Sequence, residues 1–515
     1  MVDVLLTHSY HLYFDRKQMR KMKPYPPLGT LYAASLLRKY GFSVALFDTM
    51  LENPEEKFEE ALQRYRPKIV AVYEDNFNFL SKMCLTRMRE VAFRILDVSK
   101  SFPVVTLING SDATDHQEEY LERGFDYVLI GEAEWTLLEL TQQLLRQSAD
   151  HAEEIRGLAY WDPLSEKPIR TPLRSHMPNL DALPFPAWDL IDGEQYKELW
   201  RRNHGYFSLN MVSSRGCPYH CNWCAKPIYG TTYNVRSPEE VAGEMRFLKQ
   251  QWAPDQLWFA DDIFALRPAW TDRFSKAVRE FNAIIPFKIQ SRVDLMTATT
   301  ARQLADAGCF EIWMGAESGS QKILDAMEKG TSVDQISEAC NNLKSAGIRP
   351  CLFLQLGFPG ESWEDIQKTI DLVRRTKPDD IGVSVSYPLP GTKFYREVKN
   401  QLGPKTNWDD SDDLAMMFKG TYTGEFYQAL HDALHLEVEL NKRTPMAPSN
   451  YCDFKARSLN LAPNILGEEW LRLLELWERV AQFELQCRNS NPTLLNPASE
   501  YVYASSFERV PSEAL

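Results

Sequence analysis

Short apolar segments alternate with longer amphipathic segments twice along this chain, once in residues 1–148 and again in residues 205–420. An apolar run of about four to eight residues predicts a buried strand, and a segment of about ten residues or more with helical periodicity predicts a helix. A strand, a helix and a second strand in this order form a parallel unit, because the helix carries the chain back to the starting edge of the sheet. The alternation therefore predicts an α/β fold with two parallel sheets.

The first block contains five predicted strands that alternate with helices. The strands are Val2–Leu6, Ser43–Asp48, Ile69–Tyr73, Val104–Ile108 and Tyr127–Ile130. The helices are Leu31–Tyr40, Phe58–Tyr65, Leu80–Val98 and Trp135–Gln147. This order is typical of a doubly wound, Rossmann-like parallel sheet. No Gly-x-Gly-x-x-Gly follows the first strand, which disfavours a dinucleotide site.

The second block contains six predicted strands, too few for a closed eight-stranded barrel. They are Phe207–Val212, Gln256–Phe259, Phe287–Gln290, Glu311–Met314, Cys351–Leu356 and Ile381–Ser386. We expect an open, partial (β/α)6 barrel that binds ligands at the carboxyl ends of its strands. Residues 149–204 are expected to connect the two domains, because the prolines at 184 and 186 favour an extended chain there.

Residues 421–515 are predicted to form a third, mostly helical region, with its clearest helices at Phe426–Leu440 and Glu468–Leu485. His431 and His435 lie four residues apart in the first of these helices, a spacing that places two metal ligands on one helical face. No third ligand is evident from the sequence. A surface or cofactor-capping role is therefore the preferred interpretation of the pair.

Length, charge and cysteine content narrow the class of protein. A chain of 515 residues favours two to four domains, and a net charge of −13 disfavours nucleic-acid binding, which needs a basic face. Neither a secretory signal nor an apolar run of about 18 residues is visible, so we expect a cytoplasmic protein without a membrane span. Nine cysteines, an odd number, argue against a disulfide framework and direct attention to metal or redox chemistry.

Cys217, Cys221 and Cys224 lie together, with three and then two residues between them. Three thiolates on one loop can hold three corners of an iron–sulfur cube and leave the fourth iron open for a small molecule. Two alternatives remain at this point. A structural zinc site needs four ligands, and no second Cys-x-x-Cys follows. A fully liganded cluster of the ferredoxin type would need a fourth cysteine, and Cys309 is the next one in the sequence.

The segment Ser213–Cys224 resembles the signature of the radical S-adenosylmethionine (SAM) enzymes. The loops after the predicted barrel strands resemble the matching elements of that family. The resemblance implies that the open iron binds the amino and carboxylate groups of SAM, and that further SAM contacts come from Asp261, Asp262, Arg292, Glu317, Ser318, Gly357 and Gly360. For Arg292, an ion pair with Asp294 is the alternative role.

Five segments of the first domain match pieces of a known family: Pro26–Tyr32, Phe47–Thr49, Asn109–Thr114, Gly124–Tyr127 and Gly131–Glu134. On these segments the domain resembles the cobalamin-binding domain that precedes the barrel in one radical SAM subclass, which includes the anaerobic magnesium-protoporphyrin ester cyclase and P-methylase group. The resemblance covers roughly residues 1–400. It implies cobalamin contacts from Gly29, Thr30, Asp48, Gly110, Ser111, Asp112, Ala113, Gly131 and Glu132. No Asp-x-His occurs, so a histidine ligand to cobalt is not predicted. The alternative is a Rossmann-like domain that has lost its cofactor or only packs on the barrel.

The resemblance implies an enzyme in which a 4Fe–4S cluster cleaves SAM to a 5′-deoxyadenosyl radical. A methyl group then passes from cobalamin to an unactivated carbon of a small-molecule substrate, and an electron donor such as flavodoxin or ferredoxin is the implied partner. One alternative keeps the same cofactors but closes a ring or oxidises its substrate. Another is a non-enzymatic cobalamin or iron–sulfur sensor. No catalytic acid or base is predicted.

Overall fold

The computed structural model describes residues 1–78, 85–146, 152–162, 165–405, 407–408, 414–443 and 468–490. Within these ranges the chain forms a seven-stranded sheet, a six-stranded sheet and a two-stranded ribbon. The first residues of the helix predicted at Leu80–Val98 lie outside the described residues, as do Gln147, Cys84 and Cys452. None of the described helices is both long enough and apolar enough to cross a membrane.

The first sheet has the strand order β2-β1-β3-β4-β5-β6-β7. Its strands are β1 (Val4–Thr7), β2 (Val44–Phe47), β3 (Ile69–Tyr73), β4 (Val105–Asn109), β5 (Tyr127–Leu129), β6 (Leu158–Asp162) and β7 (Lys167–Arg170). The pairings among β1 to β5 are parallel, which confirms the predicted doubly wound sheet. β6 and β7 extend it as antiparallel strands.

β6 and β7 fall within the predicted connector, residues 149–204, so part of that segment belongs to the first sheet. No residue of β7 is fully buried, and its sequence KPIR contains no apolar run that would mark a strand. The boundaries of the connector stay a prediction.

The described helices of the first domain and the connector lie between and after these strands. They are α1 (Arg16–Lys21), α2 (Leu28–Lys39), α3 (Pro54–Tyr65), α4 (Leu85–Ser99), α5 (Ser111–Asp115), α6 (Gln117–Arg123), α7 (Glu134–Arg146) and α8 (Gly193–His204). Alternate residues of β3 belong to separate apolar clusters, Ile69 and Ala71 to one and Val70 and Val72 to the other. Both faces of the sheet are therefore buried, as the continuous apolar run of β3 predicts.

The second sheet has six strands in the order β15-β14-β13-β12-β11-β8. In chain order the strands of this domain are β8 (Ser208–Met211), β9 (Ser214–Arg215), β10 (Asn234–Val235), β11 (Gln256–Phe259), β12 (Phe287–Ser291), β13 (Cys309–Glu317), β14 (Arg349–Leu356) and β15 (Asp380–Val385). β9 and β10 form the antiparallel ribbon. β8 and β15 lie at opposite ends of a parallel sheet, which confirms the open, partial barrel.

The described helices of this domain lie between the barrel strands and after β15. They are α9 (Pro238–Gln251), α10 (Pro268–Glu280), α11 (Ala298–Ala307), α12 (Gln321–Ala326), α13 (Val333–Ser345), α14 (Trp363–Thr376) and α15 (Lys393–Val398). α9 shows how nearby residues determine where a helix begins. Ser237 accepts a hydrogen bond from the Glu240 backbone, and Pro238 occupies the first helical position.

The two faces of the barrel sheet differ in exposure. Phe259 and Ile289 point towards the helices and are fully buried. Their neighbours Trp258 and Lys288 point the other way, because successive side chains of a strand alternate, and they are only half-buried. The interior of the partial barrel is therefore accessible to water.

A segment of the first domain lies along β8 at the open edge of the barrel. The hydroxyls of Tyr25 and Ser208 are 3.1 Å apart, and Asn210 Nδ2 donates to the Pro26 carbonyl at 3.0 Å. The Tyr25 ring also lies 4.9 Å from the ring of Trp258. The first domain thus contributes to the lining of the barrel beside β8.

Two carboxyl-terminal helices, α16 (Gly424–Arg443) and α17 (Glu468–Ser490), confirm the two predicted there. Arg374 of α14 forms two hydrogen bonds of 2.6 and 2.9 Å with the Glu437 carboxylate of α16. Trp477 Nε1 of α17 donates to the same carboxylate at 2.9 Å. Glu437 therefore joins three helices at one largely buried point.

The rings of His431 and His435 lie 4.3 Å apart on α16. His431 Nδ1 lies 2.9 Å from Asp432 Oδ1. Burial lowers the pKa of His435 to about 3, with a smaller contribution from His431. The part of the chain that the structure describes adds no third side chain to make a metal site here.

Replacing Glu437 with glutamine is expected to lower the free energy of unfolding by about 1–3 kcal/mol, because Arg374 would keep its charge in a buried position without a charged partner. Urea unfolding measures the loss. Glu439→Gln breaks an exposed pair with Arg443 (2.9 Å) and serves as the control, with an expected change below about 0.5 kcal/mol. Equal losses in the two variants would contradict a special role for Glu437.

Candidate active site

The loop that carries the three motif cysteines begins with a turn that requires glycine. Gly216 has a φ of 78°, and a Cβ added to it would lie 2.0 Å from the carbonyl oxygen of Thr232. Any other residue would be strained there and would clash with the backbone that precedes β10. Cys217, Cys221 and Cys224 follow this turn as half-buried cysteines that form no disulfide within the described residues.

Two buried hydrogen-bond networks anchor this loop. Asp261, at the end of β11, accepts hydrogen bonds from the Ser213 backbone at 3.0 Å, from the Ser213 hydroxyl at 2.6 Å, and from the Ser214 hydroxyl. Burial raises the pKa of Asp261 to about 6, although these bonds oppose the shift. Between the second and third cysteines, Asn222 Nδ2 donates to the Ala326 carbonyl at 2.7 Å. The loop is thereby attached both to β11 and to the end of α12.

Three residues predicted to bind SAM occupy different surroundings at the strand ends. Asp261 uses both of its carboxylate oxygens to hold the cysteine loop, whereas the neighbouring Asp262 is exposed. Ser318 is buried, and its hydroxyl lies 3.1 Å from that of Thr369 on α14. The contacts of Asp261 and Ser318 thus lie within the protein framework, and their assignment to SAM stays a prediction.

Arg292 extends from the end of β12 to the cysteine loop. The central carbon of its guanidinium lies 3.6 Å from the centroid of the Tyr219 ring, and Nη1 lies 3.9 Å from Cys221 Sγ. Its Nε donates to Asp294 Oδ1 at 2.9 Å, which confirms the ion pair given above as the alternative. The guanidinium thus places positive charge beside the cysteine loop.

Glu317 ends β13 with a φ of 62°, which is rare for a residue other than glycine. Its carboxylate forms a buried ion pair of 2.7 Å with Lys329 Nζ. Burial lowers the pKa of Lys329, but attraction to Glu317 and Cys221 outweighs it, so the pKa is raised. Lys329 also lies over the ring of Trp223, 5.9 Å from its centroid. Lys329 was not identified as a site residue from the sequence, because such residues were sought after strands and Lys329 follows a helix.

The loop after β14 contains Gly357 and Gly360, both with positive φ, 74° and 81°. The Gly357 backbone donates to Glu361 Oε2 at 2.6 Å. Glu361 Oε1 and the hydroxyl of Tyr427 are buried without a hydrogen-bond partner within the described residues. This turn places the buried Gly357 and the exposed Gly360 beside a buried carboxyl group at the carboxyl edge of the barrel.

Glutamine at position 361 is expected to reduce the pH dependence of stability between about pH 5 and 9. Burial raises the pKa of Glu361 from 4.5 to about 8, against the lowering effect of the Gly357 hydrogen bond. Because the folded chain keeps this proton while the unfolded chain releases it, stability declines as pH rises through this window. Between pH 6 and 9 the wild type should lose about 1–3 kcal/mol more than Glu361→Gln.

Urea unfolding at the two pH values measures this difference. Glu364→Gln, on the exposed side of α14, is the matched control and should follow the wild type. Parallel pH curves for the wild type and Glu361→Gln would show that Glu361 is already ionised in the folded protein.

The loops predicted to contact cobalamin follow the carboxyl ends of β1, β2, β4 and β5 and therefore meet at one edge of the first sheet. Gly29, in the first turn of α2, donates its backbone N–H to Asp75 Oδ1 at 3.0 Å. The hydroxyl of Thr30 donates to the Tyr73 carbonyl at 2.6 Å. These bonds hold the start of α2 against the end of β3.

The turn after β4 leaves polar atoms without partners at this edge. A Cβ added to Gly110 would lie 2.7 Å from Glu74 Cγ, so the backbone and the Glu74 side chain are closely packed. Ser111 Oγ and Asn76 Oδ1 are buried without hydrogen-bond partners within the described residues, and Ala113 is also buried. Buried polar atoms without partners are rare. They fit an edge that binds a ligand rich in amide groups, as a corrin is.

Two other predicted cobalamin residues use their carboxylates inside the protein. Asp48 accepts a hydrogen bond of 2.8 Å from the Tyr196 hydroxyl and lies 2.9 Å from His8 Nε2. Asp112 forms a bidentate pair with Arg89 at 2.6 and 2.7 Å. Both carboxylates shape the loops of this edge, and a direct contact with cobalamin stays a prediction for them.

Gly131 and Glu132 lie where the first domain meets the cysteine loop. Arg215 donates to Glu132 Oε1 at 2.6 Å and to Glu134 Oε1 at 2.8 Å. The side chains of Arg215, Glu132 and Glu134 are only 3%, 6% and 2% exposed. The second oxygen of Glu132 accepts the Met177 backbone N–H at 2.8 Å, so protein groups occupy both oxygens of this carboxylate.

Three aromatic rings complete the surroundings of Arg215. The guanidinium lies 5.6 Å from the ring of Tyr32, 5.4 Å from that of Phe77 and 5.1 Å from that of Tyr229. Arg215 stands two residues before Cys217, so this contact links the edge of the first sheet to the cysteine loop. No role was predicted for Arg215 from the sequence. Its position two residues before Cys217 is the signal that could have indicated one.

The donor set fits an iron–sulfur cluster. Three half-buried thiols share one loop, with the guanidinium of Arg292 and the ammonium of Lys329 close by. Cys309 does not fit as a fourth ligand. It begins β13, whereas the cysteine loop follows the carboxyl end of β8, and in a parallel sheet these positions lie at opposite edges.

Comparison with known protein families assigns both domains. Residues 23–141 match the B12 binding domain, and residues 211–373 match the radical SAM superfamily. An uncharacterized methyltransferase of Pyrococcus horikoshii is 26% identical over 390 residues, which cover 74% of this chain and 81% of that protein. The anaerobic magnesium-protoporphyrin IX monomethyl ester cyclase of Rubrivivax gelatinosus is 23% identical over 393 residues, with coverages of 73% and 67%.

Among solved structures, the cobalamin-dependent SAM radical enzyme OxsB with aqua-cobalamin bound is similar to this chain. The TM-score is 0.72 at 16% sequence identity, with 96% of this chain and 82% of that chain covered. At this identity the likeness concerns the fold. It confirms the predicted class, a Rossmann-like domain followed by a partial barrel and a helical region.

Proposed function

This chain is a cobalamin-binding radical SAM enzyme, and we propose that it transfers a methyl group to an unactivated carbon of a small-molecule substrate. When bound, the 4Fe–4S cluster, SAM and cobalamin supply the electron, the radical source and the methyl group of this chemistry. The residues of the chain bind these groups, orient them and exclude water.

Cys217, Cys221 and Cys224 would hold the cluster. Arg292 and Lys329 place positive charge beside these thiolates, and Glu317 keeps Lys329 in position. The remaining SAM contacts are proposed to come from the exposed Asp262 and from the backbone turn at Gly357 and Gly360, while Asp261 and Ser318 act by holding the loops.

Cobalamin would lie at the carboxyl edge of the first sheet. Gly29 and Gly110 let this edge pack closely against residues 74–76, and the hydroxyl of Ser111, which has no hydrogen-bond partner within the described residues, offers a hydrogen bond. Thr30, Asp48, Asp112, Ala113, Gly131 and Glu132 are proposed to shape it. The carboxylates of Asp48, Asp112 and Glu132 act through Tyr196, Arg89 and Arg215.

The observation that carries this proposal is the buried contact of Arg215 with Glu132 and Glu134. It joins the loop predicted to face cobalamin with the loop that carries the cysteines. Methyl transfer needs both cofactors to act on one substrate, so the two sites must be neighbours. A domain that only packed on the barrel would not need its ligand edge to face the cysteine loop.

Anaerobic reconstitution with iron, sulfide and cobalamin tests the proposal. We expect absorbance from both cofactors and formation of 5′-deoxyadenosine when SAM and a reductant are added. With the substrate, a labelled methyl group of SAM should appear in the product. A product without the label favours the alternative reaction, which is ring closure or oxidation. The similarity to the cyclase supports that alternative. Absence of 5′-deoxyadenosine would favour a non-enzymatic sensor.

We propose a cytoplasmic location and a flavodoxin or ferredoxin as the electron donor. The cluster chemistry requires single electrons, and these proteins carry them. The net charge of −13 gives no basis for a nucleic-acid partner.

A further inference from the structure

A second buried arginine, Arg236, joins the two domains at a point that the proposed function leaves without a role. It follows β10, and only 5% of its surface is exposed. Its Nη1 donates to the hydroxyl of Tyr32 at 3.2 Å and to the Val212 carbonyl at 3.1 Å. Tyr32 belongs to α2 of the first domain, and Val212 follows β8 of the barrel. One guanidinium nitrogen thus bonds to both domains.

The barrel domain holds Arg236 from several directions. Nη1 also donates to the fully buried carboxylate of Glu244 on α9. The Arg236 backbone donates to the Ser213 carbonyl at 2.8 Å and accepts a hydrogen bond of 2.7 Å from Trp270 Nε1. Ser213 is one of the residues that anchor the cysteine loop. Because the guanidinium is planar and held at this many points, α2 meets a rigid partner here.

The ring of Tyr32 also borders Arg215. The central carbon of the Arg215 guanidinium lies 5.6 Å from the ring centroid, which is within the range of a cation–π contact. The hydroxyl of the same side chain accepts the hydrogen bond from Arg236. Tyr32 is 2% exposed, so both contacts are shielded from water. One side chain therefore touches the two arginines that precede and follow the cysteine motif in the chain.

The position of Tyr32 on α2 connects these contacts to the cobalamin edge. Gly29 and Thr30, in the first turn of α2, are held against the end of β3 by hydrogen bonds of 3.0 and 2.6 Å. Residues 28–37 of the helix are all buried. Because the residues of one helix move as a body, the place of the Tyr32 hydroxyl determines where Gly29 and Thr30 lie relative to the barrel.

We propose that Tyr32 is a positioning residue that sets the alignment of the cobalamin edge with the cysteine loop. Its hydroxyl fixes α2 to the barrel through Arg236, and its ring packs on Arg215. A displacement of about 1 Å can slow a reaction by about a hundredfold, so this alignment matters for any reaction that uses both cofactors. The inference rests on the proposed place of cobalamin and does not require methyl transfer as the reaction.

A packing role alone does not depend on the Tyr32 hydroxyl. Phenylalanine fills the same space, and Arg236 keeps two other acceptors, the Glu244 carboxylate and the Val212 carbonyl. If Tyr32 only fills space, Tyr32→Phe behaves as the wild type. If its hydroxyl holds α2 to the barrel, the same change loosens the alignment of the two cofactors while the fold stays intact.

Pulsed electron paramagnetic resonance on the reconstituted full-length protein tests the proposal. The reduced cluster and cobalamin with Co(II) both carry unpaired electrons, and their dipolar coupling reports the distance between them. We expect one narrow distance in the wild type and loss of that single distance, in favour of a broad distribution, in Tyr32→Phe. Tyr32→Leu should broaden the distribution further, because it also removes the ring from Arg215.

Two further variants assign the effect to the contact with Arg236. Arg236→Met/Glu244→Leu replaces the buried ion pair as a unit, and on this background Tyr32→Phe should broaden the distribution no further, since the hydrogen bond is already absent. Tyr387→Phe is the matched control. The Tyr387 hydroxyl is also buried and accepts a hydrogen bond of 3.2 Å from the Trp408 backbone, but both residues lie outside the first domain. This control should keep the narrow distance.

Cobalamin affinity and cluster absorbance separate positioning from ligand contact and from folding. Both should stay within about threefold of the wild type in Tyr32→Phe, because its hydroxyl bonds Arg236. A weaker cobalamin affinity in this variant would assign the hydroxyl to the ligand and would overturn the proposal. So would a narrow distance in Tyr32→Leu, or equal broadening in Tyr387→Phe.

Failure of the proposed place of cobalamin gives a different pattern. In that case the wild type itself shows no measurable coupling between the two cofactors, and the inference falls together with that placement. Equal coupling in the wild type and in all Tyr32 variants, by contrast, overturns only the role of Tyr32.

Discussion

Replacing Cys217, Cys221 or Cys224 with alanine is expected to reduce both iron–sulfur absorbance and 5′-deoxyadenosine formation to background after anaerobic reconstitution. A cube held by three thiolates of one loop loses a corner with each substitution, and no described cysteine is placed to replace it. Cys309 is buried at the opposite edge of the barrel sheet. Absorbance and product formation are measured on the same samples, so loss of the cluster and loss of activity can be compared directly.

Cys340→Ala is the matched control for this series. Cys340 is fully buried in α13, and burial raises the pKa of its thiol to about 11, so it has the character of a packing residue. We expect it to keep the cluster and the activity and to lose about 1 kcal/mol of stability. A motif variant that kept full cluster absorbance would assign the iron to other ligands.

Local patterns in the sequence predicted most of the strands and helices of the fold. The apolar run of β3 predicts a strand buried on both faces, and the structure divides its side chains between two apolar clusters. The helix predicted at Leu31–Tyr40 is observed as α2 (Leu28–Lys39), three residues earlier at its start and one residue earlier at its end. Such features depend on residues close together in the chain, which is why they could be predicted.

The features that escaped prediction depend on distant contacts. Arg215 and Glu132 are separated by 83 positions, and neither has a local pattern that indicates the other. Asp261 was predicted to bind SAM because it follows a strand, but its oxygens accept hydrogen bonds from two serines after β8. Residue type and position at a strand end located the site. They did not reveal which side chains face a ligand and which hold the loops.

Replacing Arg215 with methionine is expected to lower the free energy of unfolding by about 3–5 kcal/mol. The change leaves the carboxylates of Glu132 and Glu134 buried without their cation, and Glu134 Oε2 already has no hydrogen-bond partner within the described residues. It also removes the charge that lies among the rings of Tyr32, Phe77 and Tyr229. Urea unfolding of the reconstituted protein measures the loss.

Two further variants separate the ion pairs from simple packing. Arg273→Met breaks an exposed pair with Glu239 at 2.9 Å and should change stability by less than about 0.5 kcal/mol. Arg215→Lys keeps the charge but cannot donate to two carboxylates as a planar fork, so we expect it to recover only part of the loss. Full recovery by lysine would show that charge alone matters. An Arg215→Met variant as stable as the wild type would mean that the cobalamin domain and the cysteine loop do not depend on this contact for their alignment.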